Sequence, residues 1–272
     1  MDAIVKDLEC RAKKIRLNIV KMVGPGKAGH FGGSCSIADI ATVLYFKKMR
    51  HDPKNPKWED RDRLILSKGH AAIVQYAALA ACGYFPEEEL KGLKQLGSIL
   101  QGHPDMLKIP GIEANTGSLG QGLSMSCGVA AGARIDKKGY KVYCVIGDGE
   151  LAEGQIWEAA MAASYYKLDN LVGILDCNKI QATGTVAERF NTNPYKEKWE
   201  AFGWKVLEID GHDMKQILDA FEEADKVKGQ PVMIIAHTVK GKGICFAENT
   251  AAFHNGAMTQ EQFELACENL SE

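Results

Sequence analysis

Neither sign of charge dominates this sequence: 33 Lys and Arg stand against 35 Asp and Glu, a formal net charge of -2 over 272 residues. Such a balance offers no general attraction to nucleic acid or to an anionic membrane, which disfavours both as partners. Metal-finger spacing is missing as well. The eight cysteines, at 10, 35, 82, 127, 144, 177, 245 and 267, contain no CxxC pair, which argues against a structural zinc site and for reduced thiols in a cytoplasmic protein. Neither GxxxxGK[ST] nor a GxGxxG following a strand occurs, so the usual nucleotide and dinucleotide fingerprints are absent. A long apolar run is lacking at the N-terminus too: in MDAIVKDLECRAKKIRLNIVKMV charges recur among the apolar positions, unlike a secretory signal. Residues 114–133 carry no charge, but Asn115, Thr116, Ser118, Gln121, Ser124 and Ser126 make the stretch too polar for lipid. It predicts a buried soluble helix with a small-residue face through Gly120, Ser124, Gly128 and Gly132.

What is present is a soluble globular composition, 46% hydrophobic and 25% charged, which disfavours disorder and collagen-like or repeat scaffolds. An amphipathic helix over 3–22 ends at Gly24-Pro25-Gly26. Strand candidates follow at 63–67, 141–146, 170–176, 204–209 and 231–237, with helical stretches at 71–82, 153–168, 194–202 and 213–228. This alternation predicts a single α/β domain over 1–272, a parallel sheet with helices on both faces and ligands at the carboxyl ends of the strands.

The chemistry concentrates at VYCVIGDGELAEGQIWEAAMAA, where a strand ends in Gly147-Asp148-Gly149 before a helix. Glycines flanking an acid at a strand end allow backbone to approach a diphosphate, and the aspartate can hold a divalent ion that neutralises it. Twenty-eight residues separate Gly149 from Asn178, which ends the next strand candidate, NLVGILDCN. Taken singly, Asp148 reads as a helix cap and Asn178 as a turn residue; at adjacent strand ends, they can share one oxygen-liganded cation such as magnesium. Four of the seven histidines (His30, His70, His103, His212) follow glycine, which places imidazoles beside tightly turning backbone. His51 and His237 read as ordinary surface or core residues.

GDG followed by about thirty residues and an asparagine resembles the motif of the thiamine-diphosphate enzymes. GKAGHFGGS (26–34), DPKNPKWEDRDRLILSKGHA (52–71), QGHPD (101–105), NTGSLGQGLS (115–124), DCNKIQATG (176–184), DGHD (210–213) and TVKGKGICFAEN (238–249) are similar, in family order, to transketolase, specifically its separately encoded N-terminal half. The resemblance implies the diphosphate-binding fold and the cofactor thiamine diphosphate with Mg2+, or Ca2+ or Mn2+ in its place. It puts Asp148, Asn178 and the Ile180 carbonyl on the metal, the Gly149 amide on the diphosphate, and Gly117 and Leu119 against the aminopyrimidine. It also implies that His30 and His103 meet the substrate, that His70 and His254 lie near the diphosphate and the reacting carbon, and that Glu153 joins a carboxylate network across a subunit interface. A favourable charge in a helix's first turn is the other reading of Glu153. His212 reads as a loop-turning residue, and KGKG at Lys240–Gly243 is similar to the family's lysine-glycine turn, its lysines reading equally as a solvated basic loop. Phe31 and Ser118 stand where the family has proline, departures that bear on donor preference, and in FHNGA a phenylalanine replaces the family's usual tryptophan before His254.

Ketol transfer from a ketose phosphate to an aldose phosphate is the implied activity. The pyrimidine-binding domain has no counterpart after Glu272, so the resemblance implies that the partner is a C-terminal transketolase subunit, in an α2β2 assembly. A 2-oxo acid dehydrogenase alpha subunit shares GDG and the asparagine but is opposed by SKGHA and TVKGKG; a non-catalytic cofactor-binding module is the other alternative.

Overall fold

The computed structural model of the protein describes residues 2–271. Among the described residues seven strands form, and the largely apolar runs at 142–146, 171–177 and 232–236 are buried on both sides, as the interior of a parallel sheet requires. The strands are β1 (Arg63–Leu66), β2 (Val142–Gly147), β3 (Leu171–Cys177), the hairpin strands β4 (Ile180–Gln181) and β5 (Gly184–Thr185), β6 (Lys205–Asp210) and β7 (Val232–His237). The four longer strands each begin one residue later than the apolar pattern suggests. Five of the seven build one sheet of order β1-β2-β3-β7-β6, with every neighbouring pair parallel.

Among the described residues ten α-helices connect and cover these strands: α1 (Asp2–Val23), α2 (Phe31–Cys35), α3 (Ala38–Val43), α4 (Ala72–Cys82), α5 (Gln121–Ile135), α6 (Gly154–Tyr165), α7 (Val186–Arg189), α8 (Tyr195–Ala201), α9 (Met214–Lys226) and α10 (Gln260–Ser271). Because successive strand side chains point to opposite faces, each strand feeds two cores. Tyr143 and Val145 pack with α1, α3, α4 and α9, whereas Val142, Cys144 and Ile146 pack with α5, α6 and Trp199 of α8. The sheet is therefore covered on both faces, as the alternation predicts. Among the described residues no helix is long and apolar enough to cross a membrane.

Chain direction across the sheet decides where a site forms. The strands advance from β1 through β2 to β3, but β6 lies at the far edge and β7 returns inward beside β3. Crossovers on the two sides of the β3–β7 boundary thus run over opposite faces, which opens a crevice at the carboxyl ends of these strands.

The uncharged stretch at 114–133 requires a correction. Its first seven residues are loop, the helix begins at Gln121, and only one side is buried, through Gly122, Leu123, Ser126, Ala130 and Ala133. On the other side Gly128 is exposed and Ser124 and Gly132 are half-buried, because the sheet and α6 cover a single flank. Ala159, Ala160 and Ala163 of α6 belong to the core of this chain.

Candidate active site

The GDG segment leaves β2 at the mouth of the crevice. Asp148 is 3% exposed, and its two carboxylate oxygens accept the N–H groups of Gly149 at 2.7 Å and Lys179 at 2.5 Å. Burial, then the nearby Asp176, pushes its carboxyl up to about 6 despite these bonds. A group so removed from water gains strongly from a cation. Asn178, just beyond β3, accepts the Ile180 N–H on Oδ1 at 3.1 Å and donates from Nδ2 to Asp176 Oδ2 at 2.7 Å. The Ile180 carbonyl accepts the Lys240 ammonium at 2.8 Å. Three oxygen-bearing groups from adjacent strand ends thus face the same space.

Three imidazoles form the opposite wall. Ring centroids lie 5.1 Å apart for His30–His70, 5.4 Å for His30–His254 and 5.1 Å for His70–His254. Burial is the first cause holding them neutral, reinforced by Lys94 for His30, Lys68 for His70 and Lys240 for His254; their pKa values fall to about 4, about 2 and about 3. Neutral rings accept or donate hydrogen bonds to hydroxyl groups without adding cationic charge. Lys240 Nζ also lies 2.9 Å from His254 Nδ1, and burial followed by Lys68 lowers its pKa to about 8.

Between these walls is a cavity of about 280 Å³. Of the residues singled out from sequence, His30, His70, Gly117, Leu119, Asp148, Gly149, Asn178, Ile180 and His254 all line it. Two do not. His103 is exposed and stands against the Gly117 turn, so that a Cβ at Gly117 would lie 2.4 Å from His103 Cδ2. Glu153 is exposed at the N-terminal end of α6 and makes no side-chain capping bond.

The geometry matches a known lineage. Residues 9–271 fit the family model described as transketolase, thiamine diphosphate binding domain. The chain belongs to this family. It is 45% identical to one of the subunits of the apulose-4-phosphate transketolase of Phocaeicola vulgatus, over 98% of this chain and 95% of that one. It is 46% identical to 6-deoxy-6-sulfo-D-fructose transketolase subunit SqwG of a Clostridium species over 97% of this chain and 96% of the relative. Transketolase from Campylobacter jejuni superposes with a TM-score of 0.92 at 36% identity, covering 98% of this chain. The chain spans 43% of the length of that solved transketolase.

Several residues in and around this cavity escape a reading of the sequence. Lys68 and Lys240 both line the cavity and are each 2% exposed, which corrects the solvated-loop alternative for Lys240; Lys242 remains outside. Asp176 and Glu150 are buried carboxylates whose signal is an acid inside or beside an apolar strand. His212 does more than turn a loop: Nδ1 lies 2.7 Å from Asp39 Oδ2, and Nε2 accepts the Val239 N–H at 2.8 Å, beside Lys240. Phe31 is fully buried and packs its ring 5.5 Å from Phe253. It therefore touches the residue preceding His254, and two of the three departures from the family pattern meet in space.

The residues present fit a diphosphate carried on a divalent ion. Among the described residues no group of three His, Cys, Asp or Glu side chains is arranged to hold a metal alone. One carboxylate, one amide oxygen and one carbonyl make a hard, incomplete oxygen set, which suits magnesium completed by phosphate oxygens and water. The cavity wall is also glycine-built where backbone must come close: a Cβ at Gly69 would lie 2.4 Å from the Thr116 carbonyl carbon, and one at Gly149 2.8 Å from Gln181.

Proposed function

We propose that this chain is the diphosphate-binding subunit of a two-chain transketolase, a single domain over residues 1–272. It moves a two-carbon ketol unit from an anionic ketose to an aldose acceptor. The carrying observation is the convergence of Asp148, Asn178 and the Ile180 carbonyl on the cavity that His30, His70 and His254 close. The match along nearly the whole length of two relatives that are themselves named as transketolase subunits supports the split form.

Asp148, Asn178 and the Ile180 carbonyl would hold the metal, taken as Mg2+, and the Gly149 backbone with Lys240 and Lys68 would meet the diphosphate. Gly117 and Leu119 lie against the aminopyrimidine. When bound, thiamine diphosphate supplies an electron sink for the pair released as the ketose C–C bond breaks. The chain's own residues position and relay protons. Neutral His30 offers hydrogen bonds to the sugar hydroxyls, His70 and His254 stand near the diphosphate and the reacting carbon, and His103 at the rim orients the substrate. Glu153 extends toward a subunit interface. The partner, a C-terminal transketolase subunit, supplies the pyrimidine-binding domain in an α2β2 assembly, and the reaction takes place in the cytoplasm.

The test mixes the purified chain with the proposed partner, a C-terminal transketolase subunit, in the presence of thiamine diphosphate and Mg2+. Fructose 6-phosphate, apulose 4-phosphate and 6-deoxy-6-sulfofructose serve as donors. Light scattering should show a larger complex, and ketose-to-aldose transfer should appear only in the mixture. Full activity from the chain alone, or neither complex nor activity with the partner, overturns the proposal.

A further inference from the structure

Asp176 occupies the next-to-last position of β3, the central strand, in register with Gly147 of β2 and Ala236 of β7. It is 0% exposed. A carboxylate offers about four acceptor sites, and here four donors from four chain segments surround it, three of them on one oxygen. Oδ2 accepts Ser36 Oγ at 2.8 Å, Lys68 Nζ at 2.5 Å and Asn178 Nδ2 at 2.7 Å, while Oδ1 accepts Thr238 Oγ1 at 2.5 Å. Of these partners, Lys68 and Asn178 line the cavity.

The consequence for Asn178 is directional. The nitrogen and oxygen ends of a side-chain amide have nearly the same shape, so packing alone does not decide which end faces a metal site. A carboxylate accepts and never donates when ionised, so Asp176 takes the nitrogen end and the oxygen end is turned the other way. The consequence for Lys68 is similar. Its ammonium gives one N–H to Asp176 and another to the Gly33 carbonyl at 2.6 Å, leaving a third donor on a side chain that borders the cavity.

We propose that Asp176 is a positioning residue of the cofactor site: it aims the Asn178 oxygen at the metal and places the Lys68 ammonium beside the diphosphate, touching neither group itself. This rests on the reading of the site given above. Partners that orient a metal ligand from behind are commonly worth about 10- to 100-fold in metal affinity, whereas a carboxylate serving only to join four segments would affect folding and leave the metal requirement alone.

The decisive measurement is calorimetric titration of thiamine diphosphate into the chain–partner complex across a series of Mg2+ concentrations. For Asp176→Asn the half-saturating Mg2+ concentration should rise at least about 10-fold, with circular dichroism confirming a folded complex. Ser36→Ala and Thr238→Val each strip one anchor from the carboxylate and leave Asn178 and Lys68 in place. Each should raise half-saturation several-fold, and these two variants decide the matter if Asp176→Asn does not fold. A wild-type complex that binds the cofactor with no need for a divalent ion overturns the site itself. Wild-type metal dependence with unchanged half-saturation in the folded variants overturns the role of Asp176 alone.

Discussion

Glu150 Oε1 accepts the backbone N–H of Gly120 at 2.8 Å, which ties the turn ahead of α5 to the GDG turn after β2. The same oxygen accepts Ser67 Oγ at 2.5 Å, and Oε2 accepts the Gly147 N–H at 3.0 Å. One buried side chain therefore sets the spacing between the two backbone turns that line the cavity. Glu150→Gln keeps the shape but turns one acceptor into a donor that faces another donor. Leaving a buried donor unmet costs about 1–3 kcal/mol. Thermal unfolding of the chain should show a lower midpoint, and a midpoint equal to wild type would remove Glu150 from this role.

Gly69 makes a second close approach. An added Cβ would sit 2.4 Å from the Thr116 carbonyl carbon and 2.6 Å from the Gly117 nitrogen, and neither is a flexible side chain that can move aside. Gly69→Ala should displace the Thr116–Gly117 turn, at a cost of about 1–3 kcal/mol for overpacking. In the complex it should also weaken thiamine diphosphate binding. Calorimetry and a melting curve check both effects; wild-type values in both would show that the backbone relaxes freely there.

The histidine cluster makes stability depend on pH. His30, His70 and His254 have folded pKa values of about 4, about 2 and about 3, below the unfolded value of about 6.5. Unfolding therefore takes up protons below pH 6.5, so stability is whole above that value and declines as the pH falls toward 4. Asp148, raised to about 6, acts in the opposite sense: its protonated form favours the fold as the pH falls from about 6 toward 4. Three groups oppose one, and the urea midpoint of the chain should fall between pH 7 and pH 5, less steeply in His70→Gln. A midpoint that is flat or rises on acidification contradicts neutral imidazoles.

His103 lies outside the cavity lining and against Gly117. His103→Ala in the complex should lower ketol transfer by about 10²-fold or more, the usual scale for a positioned acid–base or orienting side chain, with cofactor affinity little changed. Lost cofactor binding with unchanged turnover per bound cofactor would assign it to the diphosphate side instead.

The sequence by itself determined the alternating elements and the motif residues, because both are local. Apolar runs of strand length between helical patterns dictate a parallel sheet, and GDG must turn where its strand ends. Of the nine lining residues named from sequence, Asp148, Gly149 and Asn178 follow from strand ends, and the others from resemblance to the family's motifs. Tertiary structure alone decided what depends on distant partners. Lys240 is a buried site lysine only because its loop folds over the Ile180 carbonyl, 60 residues earlier in the chain. His212 reads as a turn residue until Asp39, 173 residues away, is seen to hold its ring. The exposed flank of α5 exists because the sheet and α6 cover one side, which no periodicity of small residues records. Asp176 shows the same limit. An aspartate in an apolar strand signals that something must satisfy it, but only the assembled sheet brings together the four donors that do.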